Sequence, residues 1–223
     1  MILNIAMDGP VGAGKSSIAS AVAKALDILH LDTGAMYRAV GLTAIRRGIS
    51  LQDENGVTEL CRSISMTVRH GASGQRTLVD GEDLTDHIRT PEVSMAASAV
   101  GRYAGVRREM VNIQRRLASE TPMLLDGRDI CCYVLPDAPV KIYLTASAEE
   151  RARRRWLELQ KKGDPSAYED VLKDLIARDE QDMNREVDPL RPADDAVIVD
   201  TTDMDFNQVV AHILKIVEEK FHG

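Results

Sequence analysis

The sequence predicts an α/β fold in which a parallel sheet is covered by helices on both faces. Three observations carry that expectation. Five short, largely apolar runs recur along the chain, at residues 2–7, 28–31, 123–126, 140–144 and 196–199, and amphipathic stripes with helical spacing separate them. The first four runs end at Asp8, Asp32, Asp126 and Thr145, polar side chains at the carboxyl edge where open parallel sheets collect their functional loops.

The first run, Ile2 to Met7, is broken by Asp8-Gly9-Pro10, and Ile18, Ala21, Val22, Ala25 and Leu26 then recur at three- and four-residue intervals. Strand, glycine-rich loop and helix, over about 15–27, follow in that order. A second strand ends at Asp32-Thr33-Gly34, and a helix over about 35–47 comes next. Residues 60–90 have a different rhythm: Ile64, Met66 and Val68 alternate with polar residues, Gly71-Ala-Ser-Gly74 offers a turn, and Thr77-Leu-Val79 begins a return. That alternation predicts an antiparallel hairpin inserted beside the sheet. Val106, Met110, Ile113 and Leu117 mark a helix over about 103–119, leading into the strand Met123 to Asp126. Helices over 148–161 and about 167–185 are separated by Lys162-Gly-Asp-Pro165, and Phe206, Val209, Val210, Ile213, Leu214 and Val217 give the last helix an apolar face.

The chain's 223 residues can bury a substantial core. Asp plus Glu number 35 against 28 Lys plus Arg, a formal net charge of −7 that argues against gripping a nucleic-acid backbone. Cys61, Cys131 and Cys132 form no CxxC pair and no zinc spacing with the histidines, so a reducing, cytoplasmic compartment is expected. No run reaches the ~18 apolar residues of a membrane span, and no signal peptide is expected.

The most specific local signal is Gly9-Pro10-Val11-Gly12-Ala13-Gly14-Lys15-Ser16, followed by Ser17. It fits GxxxxGK[ST], directly after a strand and opening a helix. Glycines let the backbone close on phosphate, N–H groups at the helix start complete the nest, Lys15 adds charge, and the Ser16 hydroxyl is placed for Mg2+. The motif alone suits an ATPase, a GTPase or a small-molecule kinase. Arginines favour the last, because a rigid guanidinium binds phosphate oxygens bidentately and keeps its charge when buried. Arg151, Arg153, Arg154 and Arg155 crowd one helix start, while Arg178, Asp182 and Arg185 share one face of the next helix. Asp126-Gly127-Arg128-Asp129 follows the third strand of the sheet, and Thr33-Gly-Ala-Met-Tyr37-Arg38 follows the second.

Taken with Gly81-Glu-Asp83, Ile88-Arg-Thr90, Pro136 to Ile142 and Asn184-Arg185, these segments resemble the bacterial cytidylate kinases, of the nucleoside monophosphate kinase family, over essentially the whole chain. The resemblance implies a P-loop NTPase fold with sheet order 2-3-1-4-5, an inserted monophosphate-binding subdomain and a short lid. It apportions the chain into core (1–59), inserted subdomain (60–102), core (103–150), lid (151–165) and core (166–223). It implies ATP-dependent phosphorylation of CMP and dCMP with Mg2+, in a monomer acting on small molecules, with neither nucleic acid nor membrane as partner.

By that resemblance Gly9 to Ser17 hold ATP, with Ser16 reaching Mg2+. Thr33 lies near the pyrimidine and its phosphate, Arg38, Arg107 and Arg128 grip the acceptor phosphate, Asp129 reads the cytosine amino group with Arg178, and Asp182 takes the ribose hydroxyls. Lys15, Arg151, Arg155 and Arg185 attend the transferring phosphoryl group. A carboxylate is an acceptor, which suits the N4 amino group of cytosine and disfavours O4 of uracil. The chain departs from the family after Asp129-Ile130, with Cys131-Cys132 where glycine and threonine are usual. Rival acceptors are UMP, AMP and shikimate, and a rival class is a regulatory nucleotide-binding module.

Overall fold

The computed structural model describes residues 2–71 and 74–222. In chain order the elements are β1 (Asn4–Asp8), α1 (Lys15–Ala25), β2 (Leu29–Asp32), α2 (Thr33–Arg46), α3 (Glu54–Ser63), β3 (Met66–Gly71), β4 (Gly74–Val79) and β5 (Glu82–Asp83). There follow α4 (Pro91–Val100), α5 (Ala104–Glu120), β6 (Met123–Asp126), a π-helical turn (Ile130–Val134), β7 (Val140–Thr145), α6 (Ala148–Lys161), α7 (Tyr168–Asn184), β8 (Val197–Asp200) and α8 (Phe206–His222). Five parallel strands form the main sheet in the order β2-β6-β1-β7-β8, which is 2-3-1-4-5 when its strands alone are counted. β1 runs parallel to β7, with Ile5 opposite Val140 and Asp8 opposite Tyr143, and β7 runs parallel to β8. Contacts group the chain into two compact units, one of Leu3–Ile28 with the chain from Leu124 onward and one of Leu29–Met123.

In the first unit the sheet supplies Ile5, Met7, Leu124, Val140, Ile142 and Leu144 to a core completed by Ile18, Ala19 and Val22 of α1 and Val209, Ile213 and Val217 of α8. Each large aliphatic side chain buried this way contributes about 1.5–3 kcal/mol. The apolar face expected for α8 is present except at its first residue, since Phe206 is 50% exposed. A smaller cluster joins α6 to α7 through Ala152, Val171 and Leu175, with Val11 of the glycine-rich loop and Trp156 packed against it. The Trp156 ring meets Tyr168 edge-on, and its indole N–H donates to the Ser166 carbonyl, which closes the link between the two helices.

In the second unit the hairpin is present, with Met66 opposite Val79 and Val68 opposite Thr77. Two residues of its expected turn, Ala72 and Ser73, lie outside the described residues. The hairpin gains a third strand, β5, through a two-residue turn in which Asp80 (φ 52°) and Gly81 (φ 86°) both adopt positive φ, the chemistry that Asp-Gly supplies to a type I′ turn. Two further helices, α3 and α4, were not anticipated from periodicity. α3 is capped by Asp53, whose carboxylate accepts from Gly56 N–H. α4 is capped by Thr90, accepting from Val93 N–H, with Pro91 at its first position. α5 buries Val106 and Met110 as expected, but Arg107, Gln114 and Ala118 complete its inward face rather than Ile113 and Leu117. Among the described residues no helix is long and apolar enough to cross a membrane.

Candidate active site

The loop between β1 and α1 owes its path to two glycines. A Cβ on Gly9 (φ 150°) would lie 1.9 Å from the Leu144 carbonyl oxygen on β7, so no side chain fits where the loop leaves the sheet. Gly14 (φ 83°) is the N-cap of α1 and supplies no side-chain cap, which leaves the first-turn N–H groups of the helix to an anion. Lys15 is only 6% exposed, and its Nζ donates to the carbonyls of Gly9 and Pro10, each at 2.7 Å. Burial, and then the charge of Arg128, hold its ammonium well below the usual lysine range. Phosphates entering the loop would supply the opposite charge that favours the protonated form.

Ser16 Oγ donates to Asp126 Oδ2 at 2.7 Å. A hydroxyl and a carboxylate side by side at the carboxyl end of β6 form the hard oxygen set that suits Mg2+. Among the described residues no cluster of three or more His, Cys, Asp or Glu side chains offers a metal site, so protein ligands there would be few and phosphate oxygens would complete the shell.

Beyond β6 the chain turns at Gly127, whose N–H donates to the Met7 carbonyl. Arg128 Nε donates to Asp182 Oδ2 at 2.9 Å, which joins the segment after β6 to α7. Asp129 is 5% exposed, and its carbonyl accepts from both Tyr133 and Val134 at the start of the π-helical turn. Asp8, fully buried at the end of β1, accepts from Ile130 N–H at 2.9 Å through Oδ1 and from Cys131 N–H at 2.7 Å through Oδ2. Burial first, and then the charge of Asp129, push the Asp8 carboxyl up to about 6. Cys131 lies in the core, with its thiol toward the carbonyls of Ala6 and Ile142, and burial raises it far above the usual thiol range. That is the opposite of an activated nucleophile.

The four arginines of α6 have different surroundings. Arg151 is buried: Nη1 donates to Asp179 Oδ2 at 2.6 Å and to the Val11 carbonyl at 2.8 Å, and Nε donates to the Ala146 carbonyl. Asp179 Oδ1 in turn accepts from Val11 N–H at 3.1 Å. The backbone of Val11 is therefore held at both polar atoms, by one residue of α6 and one of α7. Arg154 bonds the hydroxyl and carbonyl of Thr201. Arg153 pairs with Glu150 and Arg155 with Glu158, both arginines exposed. On α7, Arg178 and Asp182 are partly buried, and Arg185 just beyond the helix donates to the Asp188 carbonyl.

In the second unit Asp32 caps α2 by accepting from Ala35 N–H and also pairs with Arg38 at 2.7 Å. Thr33 beside it is 3% exposed. Arg107 is equally buried; its Nη1 donates to the Gly101 carbonyl and its guanidinium lies 5.7 Å from the centre of the Tyr37 ring.

A family model described as "Cytidylate kinase" matches residues 5–219. The chain belongs to the cytidylate kinase family. A cytidylate kinase of Desulfitobacterium hafniense is 47% identical over 218 residues, covering 98% of this chain and 94% of that protein. One of Carboxydothermus hydrogenoformans is 46% identical over 98% of both chains. Among solved structures, an uncharacterized protein from Eubacterium ventriosum matches with a TM-score of 0.55 at 11% identity, covering 97% of this chain and 98% of that one, a likeness of fold alone.

Two carboxylates of this cytidylate kinase family member escaped the sequence reading as site residues. Asp179 carried a signal: it follows Val171 and Leu175 at four-residue steps, so an acid occupies the buried stripe of α7, where it needs a partner. Asp8 was visible as a polar strand end, but nothing local in sequence announces its bonds to residues 122 and 123 positions away.

Proposed function

We propose that the protein transfers the γ-phosphoryl group of ATP directly to the phosphate of CMP and dCMP, giving CDP and dCDP. The observation that carries this reading is the buried Lys15 beside the Ser16–Asp126 pair, on a Gly9-to-Ser17 loop that opens α1, in a chain of this family. Backbone N–H groups from Gly9 to Ser17 bind the donor phosphates, and Lys15 exchanges its two carbonyl bonds for phosphate oxygens. Mg2+, bound with ATP, would supply charge neutralisation on the phosphates, and Ser16 with Asp126 would hold it.

For the acceptor we assign Thr33, Arg38 and Arg107 to the phosphate. Arg128 serves the phosphate and the base edge, Asp129 and Arg178 read cytosine, and Asp182 holds the ribose hydroxyls. Arg155 and Arg185 attend the transferring group. Arg151 acts from its ion pair with Asp179, fixing Val11 of the loop. The acceptor is already a phosphate oxygen with little proton to lose near neutral pH, so the step needs charge and alignment rather than a strong base. Residues 60–102 are assigned as the inserted monophosphate-binding subdomain and 151–165 as the lid. The working form is proposed as a monomer that acts on small molecules and does not bind nucleic acid.

The test is ADP formation from ATP and Mg2+ with CMP, dCMP, UMP, AMP or GMP supplied singly, beside a control without acceptor. Turnover confined to CMP and dCMP is expected. Equal rates without acceptor would identify an ATPase, and preference for another monophosphate would replace the base assignment.

A further inference from the structure

Asp8 has no part in the chemistry described above, yet it is an acid with no exposed surface and with both carboxylate oxygens committed to main-chain N–H groups. An ionised carboxylate is costly to bury, and carboxylate hydrogen bonds of this kind offset that cost. A position whose only task was to fill the core would be occupied at less cost by an apolar side chain. The two N–H groups belong to the residues that immediately follow Arg128 and Asp129, and Asp8 itself immediately precedes Gly9. One carboxylate thus ties the residue just before the phosphate loop to the start of the π-helical turn. Gly127 N–H donating to the Met7 carbonyl is a second tie between the same two segments, 2.9 Å long.

We infer that Asp8 is a positioning residue for acceptor recognition: through its two main-chain bonds it sets the placement of Arg128 and Asp129, and so the discrimination between cytosine and uracil. The inference rests on the assignment of Asp129 to the base. Arg128 is already held at its far end by Asp182, and Asp129 gives its carbonyl to the π-helical turn. The remaining freedom is the path of the main chain after Asp129, which Asp8 restrains at two consecutive residues. Displacements well below an ångström at a hydrogen-bonded base edge weaken recognition of the correct base more than of the wrong one, because the wrong base has no bond to lose there.

The experiment compares wild type with Asp8→Asn and Asp8→Ser, reading three quantities: affinity for ATP·Mg without acceptor, KM and kcat for CMP, and the ratio of kcat/KM for CMP to that for UMP. Asparagine keeps one acceptor oxygen but points an N–H2 at the other N–H, and serine keeps a single oxygen. The expected result is a KM for CMP raised roughly tenfold and a CMP-to-UMP ratio reduced about tenfold, as one lost buried hydrogen bond predicts, with ATP affinity changed less than about threefold by the same arithmetic. An unchanged ratio overturns the inference, and so do losses that fall equally on ATP affinity and CMP recognition. Two variants that both fail to fold also overturn it, by limiting Asp8 to the stability of the core. If wild type itself shows no preference for CMP over UMP, the base assignment has failed, and that result is read before any variant is made.

Discussion

The charged groups around the glycine-rich loop and those along the outer face of α6 obey different rules, although arginine-rich segments look alike in sequence. Arg151 and Asp179 have side chains only 8% and 10% exposed and bind each other and both polar atoms of Val11. Arg153 and Arg155, two and four residues further on, are 57% and 48% exposed and pair with Glu150 and Glu158 of their own helix. The first pair is out of water, so each partner is required to neutralise the other. The second kind is screened by solvent and adds little to stability. One helix therefore combines a fixed strut with arginines whose present pairs are cheap to exchange for a phosphate.

The largest test of that contrast removes one half of the strut. Asp179→Ala leaves the Arg151 charge buried and the Val11 N–H without its acceptor, and should lower the unfolding free energy by about 3–5 kcal/mol, read by urea denaturation. The double change Arg151→Met with Asp179→Leu should recover most of that loss. If the single variant is as stable as wild type, the strut is not structural. Next in size, Lys15→Met should reduce kcat by roughly 10²–10³-fold, as for other groups that stabilise transition-state charge, with the melting temperature retained. A rise in the KM for ATP with kcat unchanged would show that Lys15 binds ATP and the transition state equally.

A smaller effect concerns Asp8. Its carboxyl titrates near 6 in the fold against 3.8 ordinarily, so the folded state holds the proton more tightly than the unfolded chain. Its contribution to stability is fully present below about pH 4 and is lost as pH rises through about 6. Between pH 7.5 and pH 5 the stability of wild type relative to Asp8→Asn should therefore rise by about 1.4 kcal/mol. A difference that is flat or of opposite sign would contradict the buried, raised carboxyl. The smallest effect is expected at Arg155: Arg155→Ala should change stability by no more than about 0.5 kcal/mol while lowering kcat with CMP. Unchanged kcat would make Arg155 a surface residue only.

Most of the main sheet was legible from the chain, because each parallel strand is a short apolar run between helical stripes; Leu124, Ile142 and Val199 lie where those runs place them. The loop was legible because its glycines act locally. Two classes of feature were not. α3 and α4 are short and made by their caps, Asp53 and Thr90, rather than by a long apolar period. The partners of the charged residues were also hidden. Arg178, Asp182 and Arg185 have the spacing of one helical face, but it is the fold that pairs Asp182 with Arg128 across 54 positions. The Asp179–Arg151 pair is likewise decided by how α6 packs on α7. Periodicity reports which way a side chain faces and is silent about what it meets.

The bonds that Asp8 makes after Asp129 go to main-chain N–H groups, and nineteen of the twenty residue types present the same donor. What can stand at 130 and 131 is therefore nearly free as far as this anchor is concerned, proline apart. Cys131 stands at one of those two positions, and its bond to Asp8 runs through its main-chain N–H. The tether holds the main chain beside Asp129 and does not read the side chains attached to it.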